Sequence, residues 1–576
     1  MFSLVFFEIH PISWYNDYIT RGAVSLKKVL YKQFDQISFT DLEVFSVLPD
    51  HPIWSRAAEL IDFSFADELC APLYSTRGAR PYAPSLKLKL HIVQRYYNLS
   101  DREMEERVIG DLFIKRFLGL PVSFMGFDHS TIGLDRDRMG SALFDACHHH
   151  ILAQAKQMGL WGDNQDVWLI DSFHTNGGVA RVSTYRLIKQ AILRVINHLK
   201  RTHKVLFERL RSELNLQPLT AKLPADPTPE DRAASFSQLV VLAYGLLHWF
   251  EKESVRALFW SWKAKDRQLA SLERQAILFR VLTENTAPDD PNDPNSTYSK
   301  RPHKERPKDR LVSSVDPDAR ASKKRSKSYV DDKIQGVTSA THNMVLVAEP
   351  IAGNEPDGMR LPELVNAVRQ QHDVKPKTVV GDSAYGYGYH RRDFEADDIQ
   401  LVSPLQGVGD NHTGLFTNEQ FTYDPQAKTV TCPAAVTTNK GTYNKQLRGI
   451  QYQFAKDTCK SCPLRQQCTE SATGRTIFIS DYYDEYEKAK AFNETDEAKY
   501  LFQQRKAIER KNNELKNHHG LGYNRTHSRE KRRCYVKIVS MVVNLKQIVK
   551  QKNPLTLGFV RKHLPSSSMQ KMQIQQ

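Results

Sequence analysis

Three carboxylates are the residues of this chain best placed to do chemistry. Asp171 and Asp382 each end a short apolar run, DVWLID and KPKTVVGD, and both runs are typical of strands. Glu509 lies much later, in a segment with a helical pattern. Two aspartates leaving neighbouring strands can lie side by side at one sheet edge, where a hard divalent cation finds oxygen ligands. Either aspartate alone is weak evidence, because aspartates at strand ends commonly cap turns.

The predicted helix around Glu509 presents a polar stripe beside an apolar seam. At about 100° per residue, one narrow face collects Phe502, Arg505, Glu509 and Lys516. The neighbouring face collects Leu501, Ile508 and Leu515. A helix packed by this seam would hold Glu509 at the edge of the core, facing the sheet. The alternative is a functionally empty i,i+4 ion pair between Arg505 and Glu509 on the surface.

Three ordered segments carry a family resemblance. The segments IDSFHTNGG, VVGDSAYGYG and RKAIERKNNELK resemble the three blocks of DDE transposases from bacterial insertion sequences. Arg505, Glu509 and Lys516 reproduce the spacing R-x3-E-x6-K of the family's tyrosine, arginine, glutamate and lysine signature. Phe502 takes the tyrosine position, which keeps an aromatic ring and removes a hydroxyl. The resemblance covers most of residues 45–550.

The resemblance implies an α/β fold with an RNase H-like mixed-sheet catalytic core. In such a core Asp171, Asp382 and Glu509 bind two Mg²⁺ or Mn²⁺ ions, which activate a water or a DNA 3′-hydroxyl. Arg505 and Lys516 then hold DNA phosphates, and Phe502 adds a stacking surface. The implied partners are double-stranded DNA, as terminal inverted repeats and target DNA, and a second copy of the chain in a synaptic complex.

Changes in composition and in hydrophobic pattern along the chain predict its division into segments. Ser85 and Ser100 stand at N-cap positions of a helical module, which resembles the DNA-binding domain of the family. Within it, PSLKLKLHIVQRYY mixes basic and aromatic residues suited to a duplex backbone or to any solvated helix. The expected segments are 1–44, unassigned; 45–160, a helical DNA-binding domain; 161–550, the catalytic domain, with a helical insertion at 182–300 and a β-rich cysteine insertion at 405–482; and 551–576, a flexible tail.

Four of the seven cysteines lie close together in the sequence. Cys459-x2-Cys462-x5-Cys468 has the close pairing that tetrahedral zinc requires, and Cys432 supplies a fourth sulphur. Structural zinc, reduced thiols in a small core and redox chemistry all remain open interpretations. The other three cysteines have no partners in the sequence.

The chain is basic, and two stretches hold the surplus. Its 81 lysines and arginines exceed its 66 aspartates and glutamates by 15. The stretches 300–327 and 505–550 are the most basic, which indicates a polyanionic partner or, alternatively, a solvated face. The longest apolar run, 239–250, is too short to span a bilayer, and the start MFSLVFFEIH lacks the features of a secretory signal. We therefore expect a cytoplasmic, nucleoid-associated protein.

Two other functions compete with the transposase interpretation. A decayed or domesticated relative would bind DNA without cutting it, although the complete set of three carboxylates argues against decay. A metal-dependent nuclease without strand transfer would share every active-site residue. No P-loop pattern G-x-x-x-x-G-K-[ST] occurs, so nucleotide hydrolysis is not supported.

Overall fold

The computed structural model describes residues 29–34, 37–177, 182–293, 295–324, 326–405 and 414–552. Most of the unassigned segment 1–44 and residues 553–576 of the expected C-terminal tail therefore lie outside the described residues. The helical segments begin with α1 to α7 in the N-terminal module: Phe39–Val47, Trp54–Leu60, Phe65–Cys70, Pro84–Tyr96, Asp101–Gly110, Leu112–Leu118 and His129–Gln157. The expected boundary between residues 44 and 45 falls inside α1.

Local signals explain how the helices of this module begin. Ser100 caps α5 through the predicted capping box with Glu103. Ser85 does not cap α4, because that helix begins at Pro84, and the Ser85 amide instead donates to Asp67 at 2.7 Å. Proline fits the first helical position because its missing N–H is not needed there.

The basic residues of α4 face inward, so the prediction that this helix contacts DNA through them is wrong. Lys87 is buried and forms an ion pair with Asp135 at 2.6 Å. Lys89 donates to the Phe117 carbonyl at 2.9 Å, and His91 is fully buried. The helix is surrounded by neighbouring helices, and both of its lysines have partners within the protein.

A mixed sheet forms the centre of the molecule, and a mixed α/β fold is confirmed. The strands before the cysteine insertion, β1 to β9, are Val167–His174, Asn176–Gly177, Thr286–Pro288, Tyr298–Lys300, Arg320–Lys324, Lys327–Ser339, Val345–Ala352, Thr378–Val380 and Gln400–Val402. The core of the sheet has the order β7-β6-β1-β8-β9, with β5 also paired to β6. β6 is antiparallel to β7 and β1, whereas β1, β8 and β9 are parallel.

The segment between β2 and β5 contains a helical bundle, as the sequence predicted. Its helices α8 to α12 are Thr184–Thr202, Lys204–Glu213, Pro229–Glu251, Glu253–Trp260 and Lys265–Asn285. They enclose a hydrophobic cluster distinct from that of the sheet, and the β3-β4 hairpin follows. Among the described helices, α10 alone is long and apolar enough to cross a membrane by length and composition. Half of that window is buried within the protein, and core helices pass the same test.

Helices α13 and α14, Leu361–His372 and Gly388–Ala396, connect β7 to β8 and β8 to β9. The cysteine insertion is indeed rich in short strands. Its strands β10 to β15 are Thr422–Asp424, Thr429–Thr431, Thr437–Thr438, Gly441–Asn444, Gly449–Gln453 and Thr476–Ser480. They form two small three-stranded sheets. Two short helices, α15 and α16, span Lys456–Lys460 and Arg465–Cys468.

The helical pattern predicted after Tyr483 is interrupted rather than continuous. It forms α17, α18 and α19, Tyr483–Asn493, Asp496–Gln504 and Lys506–Asn513, followed by a π-helical turn, Glu514–His518. Thr495 caps α18 through its hydroxyl, which accepts the Ala498 amide. A two-residue strand β16, Tyr523–Asn524, and the long helix α20, Arg529–Gln551, complete the described chain.

One hydrophobic core joins the N-terminal module to the sheet. The cluster runs from α2 through α4 and α7 to one face of the sheet and includes α20. Its members on the sheet include Trp168, Ile170 and Val337. The N-terminal module therefore packs directly on the central sheet.

The N-terminal turns of α20 are held by buried charges. Arg532 donates to Asp316 and to Asp332, each at 2.6 Å, and its guanidinium lies 3.4 Å from Asp331. Arg529 donates to the other side of Asp332 at 2.8 Å. Burial is the main influence on the pKa of Asp332 and raises it, while the two arginines oppose the shift. The arginines of the basic stretch 505–550 therefore pair with buried aspartates before β5 and within β6.

We expect Arg532→Ala to lower the free energy of unfolding by about 3–5 kcal/mol, because it leaves buried carboxylates without their cation. Lys531→Ala is the matched control, since the Lys531 ion pair with Asp137 is exposed and is worth under about 1 kcal/mol. Arg532→Lys should fall between them, because an ammonium cannot reproduce the fork. Urea denaturation measures all three. Equal, small losses for Arg532→Ala and Lys531→Ala would show that the network is not structural.

Candidate active site

The register of the parallel strands places Asp171 and Asp382 side by side. Leu169 of β1 is paired with Val380 of β8, and each aspartate lies two residues further along its strand direction. Neighbouring strands lie about 4.8 Å apart, so the two backbones meet at the same level of the sheet. The Asp382 carboxylate also accepts the Ala384 amide at 2.9 Å and so caps the short turn that follows.

Asp171 lies inside its strand, whereas the sequence predicted that the strand ends there. β1 continues to His174 because β6 remains its partner on the other side, with Asp171 opposite Gly336. β8 ends two residues before Asp382, so the β8 side of Asp171 opens where this neighbour turns away. Gly336 adds no side chain to the face that it shares with Asp171, and this leaves room beside the carboxylate.

Two helices pack beneath the carboxylates through the predicted apolar seam. Leu501 of α18 and Ile508 of α19 are buried in one cluster with Leu169, Val380 and Val402 of three parallel strands. Leu515 is also buried, in a second cluster with Phe173 of β1. Phe502 is half-buried against the first cluster. The seam therefore docks where the sequence predicted, despite the interruptions in the helix.

The polar stripe faces Asp171 through a residue that the sequence reading missed. Asn512 donates from its side chain to the Asp171 carboxylate at 3.0 Å. It stands seven residues after Arg505 and three after Glu509, between the polar stripe and the apolar seam, and this spacing was the available signal. Glu509 lies one turn away, with its Cβ about 5–6 Å from that of Asn512. The stripe is therefore directed at the strand ends.

Glu509 itself is exposed on α19. Among the described residues, no hydrogen bond or ion pair joins its side chain to Asp171, to Asp382 or to Arg505. The i,i+4 pair offered as the alternative is thus not formed. Arg505 stands instead where α18 gives way to α19, with its Nε buried and without a hydrogen-bond partner in the described structure.

Two groups at the site have pKa values shifted from their ordinary range, as is common in active sites. Burial raises the pKa of Asp171 to about 6, and the negative charge of Asp382 acts in the same direction. The Arg505 guanidinium and Lys324 oppose this shift. Tyr385 is fully buried next to the aspartates, and its hydroxyl accepts from Gln335 at 3.0 Å. Burial raises the pKa of Tyr385, with a contribution from the nearby carboxylates.

Basic side chains border the site at the far end of β1. Burial lowers the pKa of His174 to about 4, and Lys333, Lys324 and Lys516 act in the same direction. The His174 ring packs against Tyr329, with centroids 4.4 Å apart. Lys324 belongs to the exposed tip of the β5-β6 hairpin, together with Lys323 and Lys327. Lys516 thus lies beside the same strand as Asp171, as the stripe requires.

Comparisons with known families agree with this picture. Residues 26–138 match the model of a transposase domain (DUF772), and residues 431–549 match the model of a transposase DDE domain. The two matches support a DDE transposase. The second match includes the cysteine insertion from Cys432 onward, α19 with Glu509, and most of α20. No curated protein and no solved structure gives a significant match to the chain.

Much of the basic surplus of the chain is engaged in ion pairs with its own acidic residues. In the stretch 505–550, internal ion pairs engage Lys511, Arg529, Lys531, Arg532, Arg533, Lys537 and Lys546. Among the described basic residues of this stretch, those without an ion pair are Arg505, Lys506, Arg510, Lys516, Arg525 and Lys550. Two of these six, Arg505 and Lys516, lie on the polar stripe, so the stripe carries cations that no ion pair within the described chain engages.

The predicted metal ligands do not form a closed cluster. In the described part of the chain, the ligand atoms of Glu105, Asp128 and His129 lie within 4.8 Å of one another, and no other such group of three occurs. This group is in the N-terminal module, where Glu105 contacts His129 at 2.9 Å and Asp128 caps α7. The four cysteines Cys432, Cys459, Cys462 and Cys468 line one cavity of the insertion.

We expect Asp171→Asn to stabilise the metal-free protein at neutral pH. Because folding raises the pKa of Asp171 from 3.8 to about 6, its protonated form stabilises the fold below pH 4, and this contribution is lost as pH rises through 6. The amide stays neutral, so the variant should gain about 1–3 kcal/mol above pH 7 and nothing near pH 4. Thermal unfolding against pH, without divalent ions, measures the difference.

Asp226→Asn, at an exposed position of the helical insertion, is the control and should change stability by under about 0.5 kcal/mol at either pH. A loss of stability in Asp171→Asn at pH 7 to 8 would contradict a desolvated carboxylate at this position.

Proposed function

We propose that this chain is a transposase that binds the terminal inverted repeats of a mobile element, cleaves DNA there and joins the ends to target DNA. The observation that carries the proposal is the register-matched pair Asp171 and Asp382, faced by the polar stripe of α19 that contains Glu509. This arrangement supports the three-carboxylate site implied by the resemblance. The transposase DDE match over residues 431–549 supports it independently.

The sheet supports an RNase H-like core. Three antiparallel strands, β7, β6 and β1, are followed by two parallel ones, β8 and β9, with helices α13 and α14 in the connections. Asp171 occupies the central strand of this order and Asp382 the strand beside it. The carboxylates are therefore anchored on the most rigid part of the fold, while Glu509 comes from a helix that packs over it.

The residues present fit a hard divalent cation. Two adjacent carboxylates, one of them desolvated, repel each other, and a cation between them would relieve that repulsion. Asn512 holds one oxygen of Asp171 and leaves the other for a ligand. Mg²⁺ or Mn²⁺, when bound by Asp171, Asp382 and Glu509, supplies Lewis acidity for attack by a water or a 3′-hydroxyl on a phosphodiester.

The remaining side chains bind and orient the nucleic acid. Arg505 offers a bidentate fork for a phosphate near the carboxylates, and Lys516 offers a point charge further along β1. The hairpin tip with Lys323, Lys324 and Lys327 extends this basic border. Phe502 keeps an aromatic ring beside the stripe. The N-terminal module, as the transposase domain, is proposed to bind the element ends, and two copies of the chain are proposed to hold both ends in a synaptic complex.

We expect Asp171→Asn, Asp382→Asn and Glu509→Gln each to abolish cleavage of a duplex carrying the element ends, while DNA binding is nearly unchanged. Glu497→Gln, at an exposed position of α18, is the matched control and should cleave like the wild type. Cleavage should require Mg²⁺ or Mn²⁺, because Ca²⁺ has longer and looser coordination.

Cleavage by Glu509→Gln within tenfold of the wild type would remove Glu509 from the site. Cleavage without joining of labelled ends to target DNA would favour a nuclease, and binding without cleavage in the wild type would favour a non-catalytic DNA-binding protein.

We expect Lys516→Ala to weaken binding of end-containing DNA and to lower the slope of log affinity against log salt by about one unit, with little change in sequence preference. Lys506→Ala is the matched control, because Lys506 lies on α19 but away from the polar stripe, and its slope should not change. Arg505→Lys should also reduce cleavage despite its conserved charge, whereas Phe502→Tyr should be tolerated. Equal slopes for the two lysine variants would show that the stripe does not hold DNA.

A further inference from the structure

The hydrophobic core of the cysteine insertion is small. Burial of apolar side chains alone does not account for its ordered structure. Its hydrophobic cluster contains five buried side chains: Phe421, Val430, Tyr452, Phe454 and Ile477. Its strands are two to five residues long and form two separate small sheets. Units of this size usually need disulfides or a structural metal in addition to their core. All seven cysteines of the chain are free thiols, so a disulfide does not supply that support.

Four thiols from three separate backbone segments meet at one cavity of this insertion. Cys432 follows β11, Cys459 lies in α15, Cys462 follows it, and Cys468 ends α16. All four line the same cavity of about 510 Å³. The remaining cysteines, Cys70, Cys147 and Cys534, are buried elsewhere.

The backbone is shaped to present these thiols. A tight turn follows Cys432, in which the Cys432 carbonyl accepts the Ala435 amide and the Cys432 amide donates to Val436, both at 2.9 Å. Ala435 has φ 56°, a left-handed conformation that is costly for a residue with a Cβ. Gly474 has φ 98°, and a Cβ there would lie 2.6 Å from the Phe454 carbonyl and 3.6 Å from the Cys459 sulphur.

Two arginines offset negative charge beside the thiols. Arg475 donates to the Cys468 carbonyl at 3.0 Å and lies over the Phe421 ring, with its Nε buried and without a hydrogen-bond partner in the described structure. Arg465 donates to the Cys459 carbonyl at 3.3 Å. Four thiolates around a divalent ion carry two net negative charges, which two adjacent guanidinium groups balance. The same guanidinium groups also donate to the Phe416 and Ser471 carbonyls, which fixes them beside the four sulphurs.

We propose that Cys432, Cys459, Cys462 and Cys468 bind one structural Zn²⁺ ion that holds the two small sheets of the insertion together. No three of the sulphurs in the described structure lie within 4.8 Å of one another. Tetrahedral zinc with Zn–S bonds of about 2.3 Å brings its sulphurs to about 3.8 Å. Binding would therefore draw the three segments closer and release the thiol protons. This site is separate from the carboxylates and does not depend on the proposed cleavage activity.

The test uses the full chain, purified without chelator under reducing conditions, with zinc and iron measured by mass spectrometry. We expect about one zinc per chain and negligible iron. Cys459→Ser with Cys462→Ser should lower the zinc content at least tenfold, whereas Cys534→Ala should keep it. Asp171→Ala with Asp382→Ala should also keep it, which excludes the carboxylates as the zinc site.

A second measurement uses only the wild-type chain, so it does not depend on whether the cysteine variants fold. Alkylation mapped residue by residue should find all four cysteines protected in the zinc-loaded chain and reactive after chelation, with protease cleavage then appearing within 414–480. Absence of zinc, iron in its place, or zinc retained by the double cysteine variant would overturn the proposal. Protection that is lost on reduction alone would show disulfides and would overturn it equally.

Discussion

Two like charges held at the same level of adjacent parallel strands are the constraint around which this structure is arranged. Asp171 and Asp382 could separate only if the β1-β8 register changed, and that register is set by buried apolar residues on both strands. Burial and the negative charge of Asp382 raise the pKa of Asp171, so ionising Asp171 at neutral pH costs stability. A carboxyl group with a pKa raised in this way is typical of functional sites.

The helices after the cysteine insertion place a second set of polar groups beside Asp171 and Asp382. Their seam packs on the three parallel strands directly below the aspartates, and Asn512 marks where the stripe meets Asp171. α17 is held to α14 by an ion pair of Arg392 with Glu485 and by the Tyr486 hydroxyl, which accepts the Gly388 amide at 3.1 Å. A Cβ on Gly388 would lie 2.3 Å from Tyr482, so glycine permits this close approach. The first helix after the insertion is thereby tied to α14, the helix that follows Asp382 in the chain.

The insertion lies between Asp382 and Glu509 in the sequence. Its rigidity therefore affects the connection between the segments that carry these two residues. Its last strand, β15, leads directly into α17. A metal in the insertion would stiffen this connection without taking part in chemistry. On the other side of the sheet, α20 shares a core with the N-terminal module, and buried arginine and aspartate contacts fix its first turns. The N-terminal module is therefore held at a defined position relative to the sheet.

The sequence determined the features that depend on local pattern and spacing. The strands that lead to Asp171 and Asp382, the apolar seam of Leu501, Ile508 and Leu515, the capping box of Ser100 and the helical insertion all follow from periodicity and short-range chemistry. These signals need no knowledge of distant partners. The family resemblance of the ordered blocks agrees with the transposase matches at both ends of the chain.

Only the tertiary structure decided which charges remain available and where β1 ends. The inward orientation of Lys87 and Arg532 depends on Asp135 and Asp332, which are far away in sequence, so local net charge could not separate a DNA surface from a buried network. β1 continues beyond Asp171 because β6 continues beside it. The sequence of one strand does not show how far its partner strand extends. Asn512 stands three residues after Glu509, but its hydrogen bond to Asp171 depends on how the helix packs on the sheet, which the spacing does not show.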